Sequence, residues 1–341
     1  MKIAQLVPPI VPTPPKLYGG TERVASMLTE ELVSRGHKVT LFATGDSKTH
    51  AKLRYLVKEA TGIGSCSHLL NMAQVYSAYR EADEFDIIHN HAGFFGIASS
   101  KFISRPTVTT MHNDYLLPKF PEFHFFRNAT NFVFISKKQE KRMHGLRSAG
   151  VVYNATDTDE YTFSPDKEDY LLFLGNCYKH KGPDIAIRVA KRLGMKLIIT
   201  GKYDPGRQEA WFMKNVAPHV DGKRIIFRKL IPFEEKLDLY QHARCVLFPI
   251  RWEEPFGLVM IESMACGTPV VAFGKGSVPE IIKHGETGFI ADDYRQFLAY
   301  VKRAHEINPR ACRRWVKRKF SIEVMADSYE RVYRRILKSR R

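Results

Sequence analysis

The chain alternates short apolar runs with longer amphipathic segments along most of its length. An apolar run such as Lys2–Val7 is too short for a typical helix and is characteristic of a buried strand. The segment after it places Val24, Leu28 and Leu32 at helical spacing, and Gly36 just beyond them is a helix stop. Because this strand-then-helix unit recurs, the sequence predicts an α/β fold built on parallel sheets.

The alternation occurs in two blocks, and a chain of 341 residues is long enough for two domains with separate cores. We place the domains at 1–165 and 166–319. In the first block, strands are predicted at 2–7, 38–43, 86–89, 107–111, 132–135 and 151–153, with helices after Gly20 and at 69–82. In the second block, strands are predicted at 170–174, 196–200, 225–230, 245–250, 270–273 and 287–290. The helices predicted there are 184–193, 233–243, 258–265, 294–306, 309–319 and 321–337.

The segment Trp252–Phe273 carries the densest set of candidate functional residues. It begins where an apolar strand ends, and Pro255 and Gly257 then lead into the short apolar helix predicted at 258–265. Proline suits the first turn of a helix, and glycine lets the backbone approach a ligand closely. The start of a helix presents unpaired N–H groups and the positive end of the helix dipole, so this segment predicts an anion site.

Two carboxylates bracket the predicted anion site: Glu254 in the loop and Glu262 inside the helix. A carboxylate repels phosphate but accepts strong hydrogen bonds from hydroxyl groups. A ligand with phosphate at the helix start and hydroxyls on either side of it fits a sugar nucleotide. The alternative is that Glu254 lies in a solvated loop and Glu262 on an exposed helix face, which is the commoner origin of such a pair.

The residues around this pair resemble the donor site of retaining glycosyltransferases of family 4, which have the GT-B fold. The resemblance rests on the two glutamates with seven residues between them and on the segments 267–271 and 276–280. It implies two Rossmann-like domains that face each other across a cleft, with the C-terminal helix, about 320–341, returning to the first domain. It also implies that a sugar passes with retention from a nucleoside diphosphate donor to an unidentified acceptor, with no metal and no other cofactor.

The resemblance also implies roles for individual residues of the segment. Glu254 would face the hydroxyls of the donor sugar, and Glu262 would bind the ribose hydroxyls. Phe256, Gly257 and Leu258 would offer backbone N–H groups to the diphosphate.

Two glycine loops elsewhere each follow a predicted strand. Gly19 and Gly20 resemble the first glycine loop of the family, which faces the donor phosphates. Lys181 matches the family's donor-phosphate lysine, whose charge can neutralise a diphosphate leaving group. In the family, an arginine directly follows the glycine of that second loop. This chain has Asn176 at that position, which the resemblance also places at the donor site. The departure supports an alternative function, a non-catalytic GT-B protein that binds nucleotide or glycan, although Lys179 could replace the missing charge.

His91 and His112 each follow a predicted strand, and ligands of open α/β sheets bind at the carboxyl ends of strands. The family usually has a histidine at the position of His112, beside the donor sugar. We therefore take His112, Lys181 and Glu254 as candidate catalytic residues, with a purely structural role as the alternative for both histidines. A zinc site is not expected, because His89 and His91 are neighbours on one strand and no further ligand cluster accompanies them.

The net charge of +17 is unusual and implies an anionic partner or surface. An anionic acceptor, a lipid-linked glycan or peripheral membrane contact would satisfy it, and a solvated helix face is the alternative. Nucleic acid is not expected, because the nearby aromatic residues Trp315, Tyr329 and Tyr333 lie at spacings typical of packing. The basic residues concentrate near the C-terminus at Arg313, Arg314, Lys317, Arg318, Lys319, Arg331, Arg334, Arg335, Lys338, Arg340 and Arg341.

The remaining composition favours a cytoplasmic protein, with membrane association left open. No run of about 18 apolar residues occurs, so no transmembrane helix is expected. The five cysteines are scattered and show no metal-ligand spacing, as expected in a reducing compartment.

Overall fold

Two compact units make up the chain: Met1–Ala155 together with Ile322–Arg341, and Thr156–Ser321. Each unit contains a parallel sheet with helices, which confirms the predicted α/β class. Cys66, Arg340 and Arg341 of the sequence analysis lie outside the described residues. The computed structural model describes residues 1–62, 67–113, 121–204 and 206–339.

The described part of the first unit has a seven-stranded sheet in the order β3-β2-β1-β4-β5-β6-β7. Its strands are β1 Lys2–Leu6, β2 Lys38–Ala43, β3 Lys52–Tyr55, β4 Ile87–Asn90, β5 Thr107–Met111, β6 Asn131–Phe134 and β7 Ser148–Val151. Its helices up to this point of the chain are α1 Gly20–Ser34, α2 Ser67–Arg80, α3 Phe94–Ser99 and α4 Lys137–Arg142. Short 3-10 helices lie at Ala82–Glu84, Ser100–Phe102 and Pro121–Phe126.

The described part of the second unit has a six-stranded sheet in the order β10-β9-β8-β11-β12-β13. Its strands are β8 Tyr170–Leu174, β9 Lys196–Thr200, β10 Ile225–Arg228, β11 Cys245–Phe248, β12 Val270–Phe273 and β13 Gly288–Ala291. Its helices are α5 Pro183–Leu193, α6 Arg207–Asn215, α7 Phe233–His242, α8 Leu258–Ala265, α9 Val278–Ile281, α10 Tyr294–Arg303 and α11 Pro309–Phe320. Its 3-10 helices are Lys179–Lys181, Ala217–His219 and Ala304–Glu306.

Several short elements differ from the prediction. The strand predicted at 151–153 is wrong in position, because β7 ends at Val151. β3 was not predicted, since its sequence Lys-Leu-Arg-Tyr lies at the sheet edge and is mostly solvated rather than continuously apolar. Helices α3, α4, α6 and α9 were also missed, and they are four to nine residues long, which is short for a clear helical period.

The first unit ends ten residues before the predicted boundary at 165/166, because the segment 156–165 packs within the second unit. The ring of Tyr161 contacts Phe233 edge-on, with centroids 5.3 Å apart. The N–H of Ser164 donates to the carbonyl of Cys266 at 3.2 Å. Arg313 donates to the carbonyls of this segment, at Thr158 and Tyr161, and so ties it to α11.

The last helix, α12 (Ile322–Lys338), belongs to the first unit. It carries two buried tyrosines to the sheet. Tyr333 Oη lies 2.6 Å from His89 Nδ1, and Tyr329 Oη lies 2.8 Å from Thr110 Oγ1. Thr110 Oγ1 also lies 2.7 Å from His89 Nε2. The tyrosines therefore both pack and hydrogen-bond, since β4 and β5 offer polar side chains under the helix.

We expect Tyr333→Phe to lower the melting temperature of the protein by several degrees. The change leaves His89 Nδ1 buried without its partner, which typically costs about 1–3 kcal/mol. For a protein region of 150–250 residues, each kcal/mol shifts the midpoint by about 2–4 °C. Tyr76→Phe is the matched control, because Tyr76 lies on α2 and is 68% exposed. Equal melting temperatures for the two variants would contradict the role assigned to Tyr333.

Candidate functional site

A partly buried ion pair lies beyond the carboxyl ends of β8 and β11. Lys181 Nζ donates to Glu254 Oε2 at 2.5 Å, and Trp252 Nε1 donates to the same oxygen at 2.9 Å. Glu254 is only 8% exposed. The ammonium of Lys181 also lies 5.0 Å from the centre of the Trp252 ring, within cation–π range. The two residues predicted as cation and carboxylate of the site are thus in direct contact.

The backbone directly after Lys181 is fixed by its close approach to Pro249, the residue that follows β11. Gly182 has a φ of +80°, and a Cβ there would lie 2.2 Å from the carbonyl oxygen of Pro249. Glycine is therefore required at this position. Arg251 clamps the same turn, because its guanidinium donates to both carboxylate oxygens of Asp184 at 2.7 and 2.5 Å and to the carbonyl of Lys179 at 2.6 Å.

Asn176 lies in the loop after β8, where the resemblance would place an arginine. It is half-buried, and its carbonyl accepts the N–H of Tyr178 at 2.9 Å. The charge of Arg251 is committed to Asp184 through two hydrogen bonds, so it does not replace the missing arginine in this structure. The side chain of Lys179 is exposed.

Helix α8 begins beside the ion pair. Gly257, its N-terminal cap, has a left-handed backbone with a φ of +85°, and a Cβ there would meet Met260 Cε at 2.9 Å. The N–H of Met260 donates to the carbonyl of Gly257 at 3.1 Å, whereas the N–H groups of Leu258 and Val259 precede the helical hydrogen-bond pattern. The side chain of Phe256 is 2% exposed and packs on Phe320, with ring centroids 5.9 Å apart. Its ring is therefore structural, and only its backbone belongs to the loop.

The loop ahead of α8 is held by the segment at 276–277. Ser277 N donates to the carbonyl of Glu254 at 2.9 Å, and Ser277 Oγ donates to the carbonyl of Phe256 at 2.6 Å. Gly276 N donates to Glu253 Oε2 at 2.9 Å. A Cβ at Gly276 would lie 2.3 Å from the backbone of Glu254. The Gly-Ser pair thus sets the position of the Glu254 backbone, a function that the sequence alone did not show.

Glu262 lies on α8 and is 6% exposed, so the exposed helix face considered above is wrong. Tyr240 Oη donates to Glu262 Oε2 at 2.8 Å, and Lys236 Nζ lies 3.7 Å from the same oxygen. Burial, followed by the charge of Glu262, raises the pKa of Tyr240 well above its usual value. The phenol therefore stays protonated and donates. Lys236 Nζ also donates to Tyr161 Oη at 2.5 Å, which holds the ammonium of Lys236 near the carboxylate of Glu262.

Gly19 and Gly20 form the start of α1 in the first unit. Gly19 has a φ of +156°, and a Cβ there would lie 2.8 Å from Pro15 Cβ and 2.9 Å from Glu22 Oε2. Glu22 is buried in the first turn of α1, and burial raises the pKa of its carboxyl to about 7. The sequence analysis did not single out Glu22, since nothing in the pattern distinguishes it from an exposed helical glutamate.

His112 follows β5 and is linked through His91 to β1. His112 Nε2 lies 2.8 Å from His91 Nδ1, and His91 Nε2 lies 2.9 Å from Gln5 Oε1. Because an amide oxygen only accepts, His91 carries its proton on Nε2 and its Nδ1 accepts from His112. Burial lowers the pKa of His112 to about 4 and that of His91 well below its usual value. His112 is therefore neutral near pH 7, and its Nδ1 is an acceptor.

The predicted site residues fall into two groups. The second unit brings together Lys181, Glu254 and the start of α8, with Glu262 one helix turn or more further along, and the loop containing Asn176 lies after β8. The first unit contains the glycine loop and His112. Within the described residues, no three histidine, cysteine or acidic side chains are grouped as metal ligands. A search of the described helices found none with the length and hydrophobicity needed to cross a membrane.

Acid should destabilise the first unit selectively. Burial lowers the pKa of His89, His91 and His112 below the unfolded value of 6.5, so the unfolded state binds protons first as the pH falls. The contribution of the histidines to stability is therefore fully present above pH 6.5 and is lost as the pH falls toward 4, by up to about 1.4 kcal/mol per pH unit for each histidine. The carboxyl of Glu22, whose pKa is raised to about 7, takes up a proton over the same range and offsets part of this loss.

Hydrogen exchange read by mass spectrometry at about pH 7.5 and about pH 5 measures this effect, after correction for intrinsic exchange rates. Peptides of β4 and β5 should lose more protection at the lower pH than peptides of β9 and β12 in the second unit. An equal loss in both units would contradict the assignment of neutral histidines.

Two family models match adjacent parts of the chain. The model described as Glycosyltransferase Family 4 matches residues 18–160, and the model described as Glycosyl transferases group 1 matches residues 155–320. An uncharacterized glycosyltransferase of Methanocaldococcus jannaschii is 29% identical over 241 residues, which cover 66% of each chain. The chain thus spans about two thirds of the length of that relative.

Solved structures share the fold over nearly the whole chain. Sucrose-phosphate synthase from Thermosynechococcus elongatus matches with a TM-score of 0.80 at 19% identity, covering 99% of this chain and 100% of the other. Anabaena HepE in complex with UDP-glucose matches with a TM-score of 0.76 at 18% identity, with the same coverage. The family matches together span residues 18–320, and the chain belongs to the glycosyltransferases of the GT-B fold.

Proposed function

We propose that the protein transfers a sugar from a nucleoside diphosphate donor to an acceptor, with retention at the anomeric carbon and without a metal ion. The contact of Lys181 with Glu254 beside the start of α8 carries this proposal. It combines a cation and helix N–H groups, which suit a diphosphate, with a carboxylate, which suits hydroxyls. The relative crystallised with UDP-glucose supports a donor of this class.

The donor sugar would meet Glu254 through its second oxygen. Glu254 Oε2 already accepts from Lys181 and Trp252, whereas Oε1 has no hydrogen-bond partner among the described residues. A buried carboxylate oxygen in this position favours a hydroxyl donor over a phosphate. The ion pair also holds Lys181 in place before the donor binds, so its charge needs little reorganisation during the reaction.

Bond cleavage places negative charge on the leaving diphosphate. The bond between the anomeric carbon and the phosphate oxygen breaks, and its electron pair goes to the diphosphate. The acceptor oxygen attacks from the same face, and its proton passes to the leaving phosphate oxygen. Lys181 and the first N–H groups of α8 stabilise the developing charge, and each such preorganised donor contributes about 2.7–4 kcal/mol to lowering the barrier.

Glu262 would accept from the ribose hydroxyls of the donor. Tyr240 donates to its Oε2, and Lys236 Nζ lies 3.7 Å from the same oxygen, so the buried carboxylate has a hydrogen-bond donor and a cation beside it. In the first unit, His112 would accept a hydrogen bond from a sugar hydroxyl through Nδ1. Because its pKa is about 4, it cannot act as a general acid at neutral pH.

Asn176 favours a second candidate function, in which the protein binds nucleotide or glycan without turnover. The guanidinium of Arg251 is held by Asp184, so Arg251 does not replace the expected arginine at this loop. Nucleotide binding without release of nucleotide from a sugar donor would identify this function.

Thermal unfolding with UDP, GDP or ADP, each with a chelator, tests the donor site. We expect one nucleotide at about 100 times its dissociation constant to add ~2.7 kcal/mol of stability to the wild type. Lys181→Ala should remove that shift, because the diphosphate loses its cation. Lys302→Ala is the control, since Lys302 is an exposed lysine on α10 of the same unit.

The melting temperature of Lys181→Ala without nucleotide must be recorded as well, because Glu254 loses its buried partner in this variant. Lys181→Met, which keeps the length of the side chain, serves as a second variant. Undiminished nucleotide shifts in both would show that Lys181 does not bind the donor.

Glu262→Ala should abolish discrimination between a nucleotide and its 2′-deoxy analogue. A hydrogen bond to a charged group contributes about 1.5–3 kcal/mol, so the wild type should bind UDP, or the base selected above, about 10- to 150-fold more tightly than the deoxy form. Glu262→Gln keeps the packing next to Tyr240 and should show reduced discrimination. Glu306→Gln, at an exposed position, is the control. Discrimination that survives in Glu262→Ala would assign the ribose contact to another residue.

A further inference from the structure

Helix α11 and the turn before β13 line an open cavity of about 620 Å³ on the surface of the second unit. This volume is in the range of small-molecule sites and exceeds that of a single inorganic anion. None of its residues belongs to the donor site described above. We call it the α11 cavity, lined by Lys283, Glu286, Thr287, Ala311, Arg314, Trp315, Lys317 and Arg318.

The α11 cavity has a surplus of positive charge. Four of its side chains are cationic and one is a carboxylate, Glu286. Glu286 is already paired with Lys283 at 3.1 Å. Arg314, Lys317 and Arg318 form no ion pair with any residue that the structure describes. Three uncompensated cations therefore share one concave surface, which makes it a site for an anion with more than one charge.

Trp315 orients part of this cationic surface, including Arg318, one of the three cations without an ion pair. Its Nε1 donates to the carbonyl of Ile281 at 2.7 Å, which fixes the orientation of the ring. Lys283 Nζ lies 4.8 Å from the ring centre, Arg318 Cζ lies 5.2 Å from it, and Lys319 Nζ lies 4.8 Å from it. Cation–π contacts of this kind hold long side chains that would otherwise be mobile. The cations are thus partly preorganised, which lowers the entropy lost on binding.

We propose that the α11 cavity is a second ligand site, which binds a phosphate ester. Arginine presents a planar fork of N–H donors that matches two phosphate oxygens. Lysine adds a positive charge without this geometric match. The size of the cavity leaves room for the group that the phosphate esterifies. Nucleic acid is disfavoured, because base stacking needs a free aromatic face and cations already lie against the ring of Trp315.

Two sources could supply this chemistry: the headgroup of an anionic phospholipid, or a soluble phosphorylated sugar. The proposal does not depend on the donor reaction, since the two sites share no residue. It gives a location to the anionic partner that the net charge of +17 predicts.

The test uses the full chain and two double variants with equal changes in charge. Arg314→Glu with Lys317→Glu alters the cavity. Arg192→Glu with Lys214→Glu alters exposed residues at the C-terminal ends of α5 and α6 in the same unit. One arm measures co-sedimentation with vesicles of phosphatidylglycerol and phosphatidylcholine, against phosphatidylcholine alone. The other arm titrates glucose 6-phosphate by calorimetry, with glucose as the neutral control.

We expect the wild type and the control variant to bind in one arm, and the cavity variant to bind at least 10-fold more weakly there. A single basic side chain near an anionic surface typically changes affinity about fivefold, so two should exceed this threshold. Binding in the vesicle arm identifies a headgroup, and binding in the sugar phosphate arm identifies a soluble ester. Trp315→Leu, which removes the ring but no charge, should weaken the same arm.

The proposal fails if neither arm shows binding, or if both double variants weaken it equally. The second result would mean that only the overall charge matters. Unchanged melting temperatures of the variants exclude unfolding as the cause of a loss. Retention of the nucleotide shift in the cavity variant would show that the donor site is intact.

Discussion

The buried pair of Lys181 and Glu254 is the interaction on which the second unit's site depends. A lone charge at either position would be costly, because neither side chain is well solvated. Together they satisfy each other, and Trp252 adds a hydrogen bond to one member and a cation–π contact to the other. This arrangement requires the loops after β8 and β11 to approach each other closely, which explains why Gly182 has no room for a side chain. Gly276, after β12, has no room either, because it packs on the backbone of Glu254.

Buried ionisable side chains are stabilised in a different way in the first unit. There the sheet buries three imidazoles, and burial keeps them neutral instead of pairing them with carboxylates. Neutral rings can each donate and accept once, so they form a directed chain from Gln5 through His91 to His112. The orientation of His112 thus depends on Gln5 of β1, a residue with no ionisable side chain. One unit fixes its candidate residue by charge pairing, and the other does so by hydrogen-bond direction.

These differences explain what the sequence could and could not predict. The longer periodic segments, such as α1 and α5, and the buried strands were predictable, because burial of an element requires apolar residues at regular spacing or in a continuous run. Glu254 and Glu262 could be found from their spacing and neighbours. The contacts of Tyr240 and Lys236 with Glu262, and of the Trp252 ring with Lys181, could not, because they join residues far apart in the sequence. The segment 156–165 was assigned to the wrong unit for the same reason, since only its contacts show where it packs.

Charge balance also separates the two sites of the second unit. Around the donor site three cations each have a carboxylate: Lys181 faces Glu254, Lys236 faces Glu262, and Arg251 faces Asp184. A balanced site can hold both the phosphates and the hydroxyls of one ligand, but it cannot account for a net charge of +17. Cations without an ion pair lie elsewhere, and three of them, Arg314, Lys317 and Arg318, line one cavity on α11, where Arg318 packs on the fixed ring of Trp315. The surplus charge of the protein is therefore better explained by a second anionic contact than by its donor.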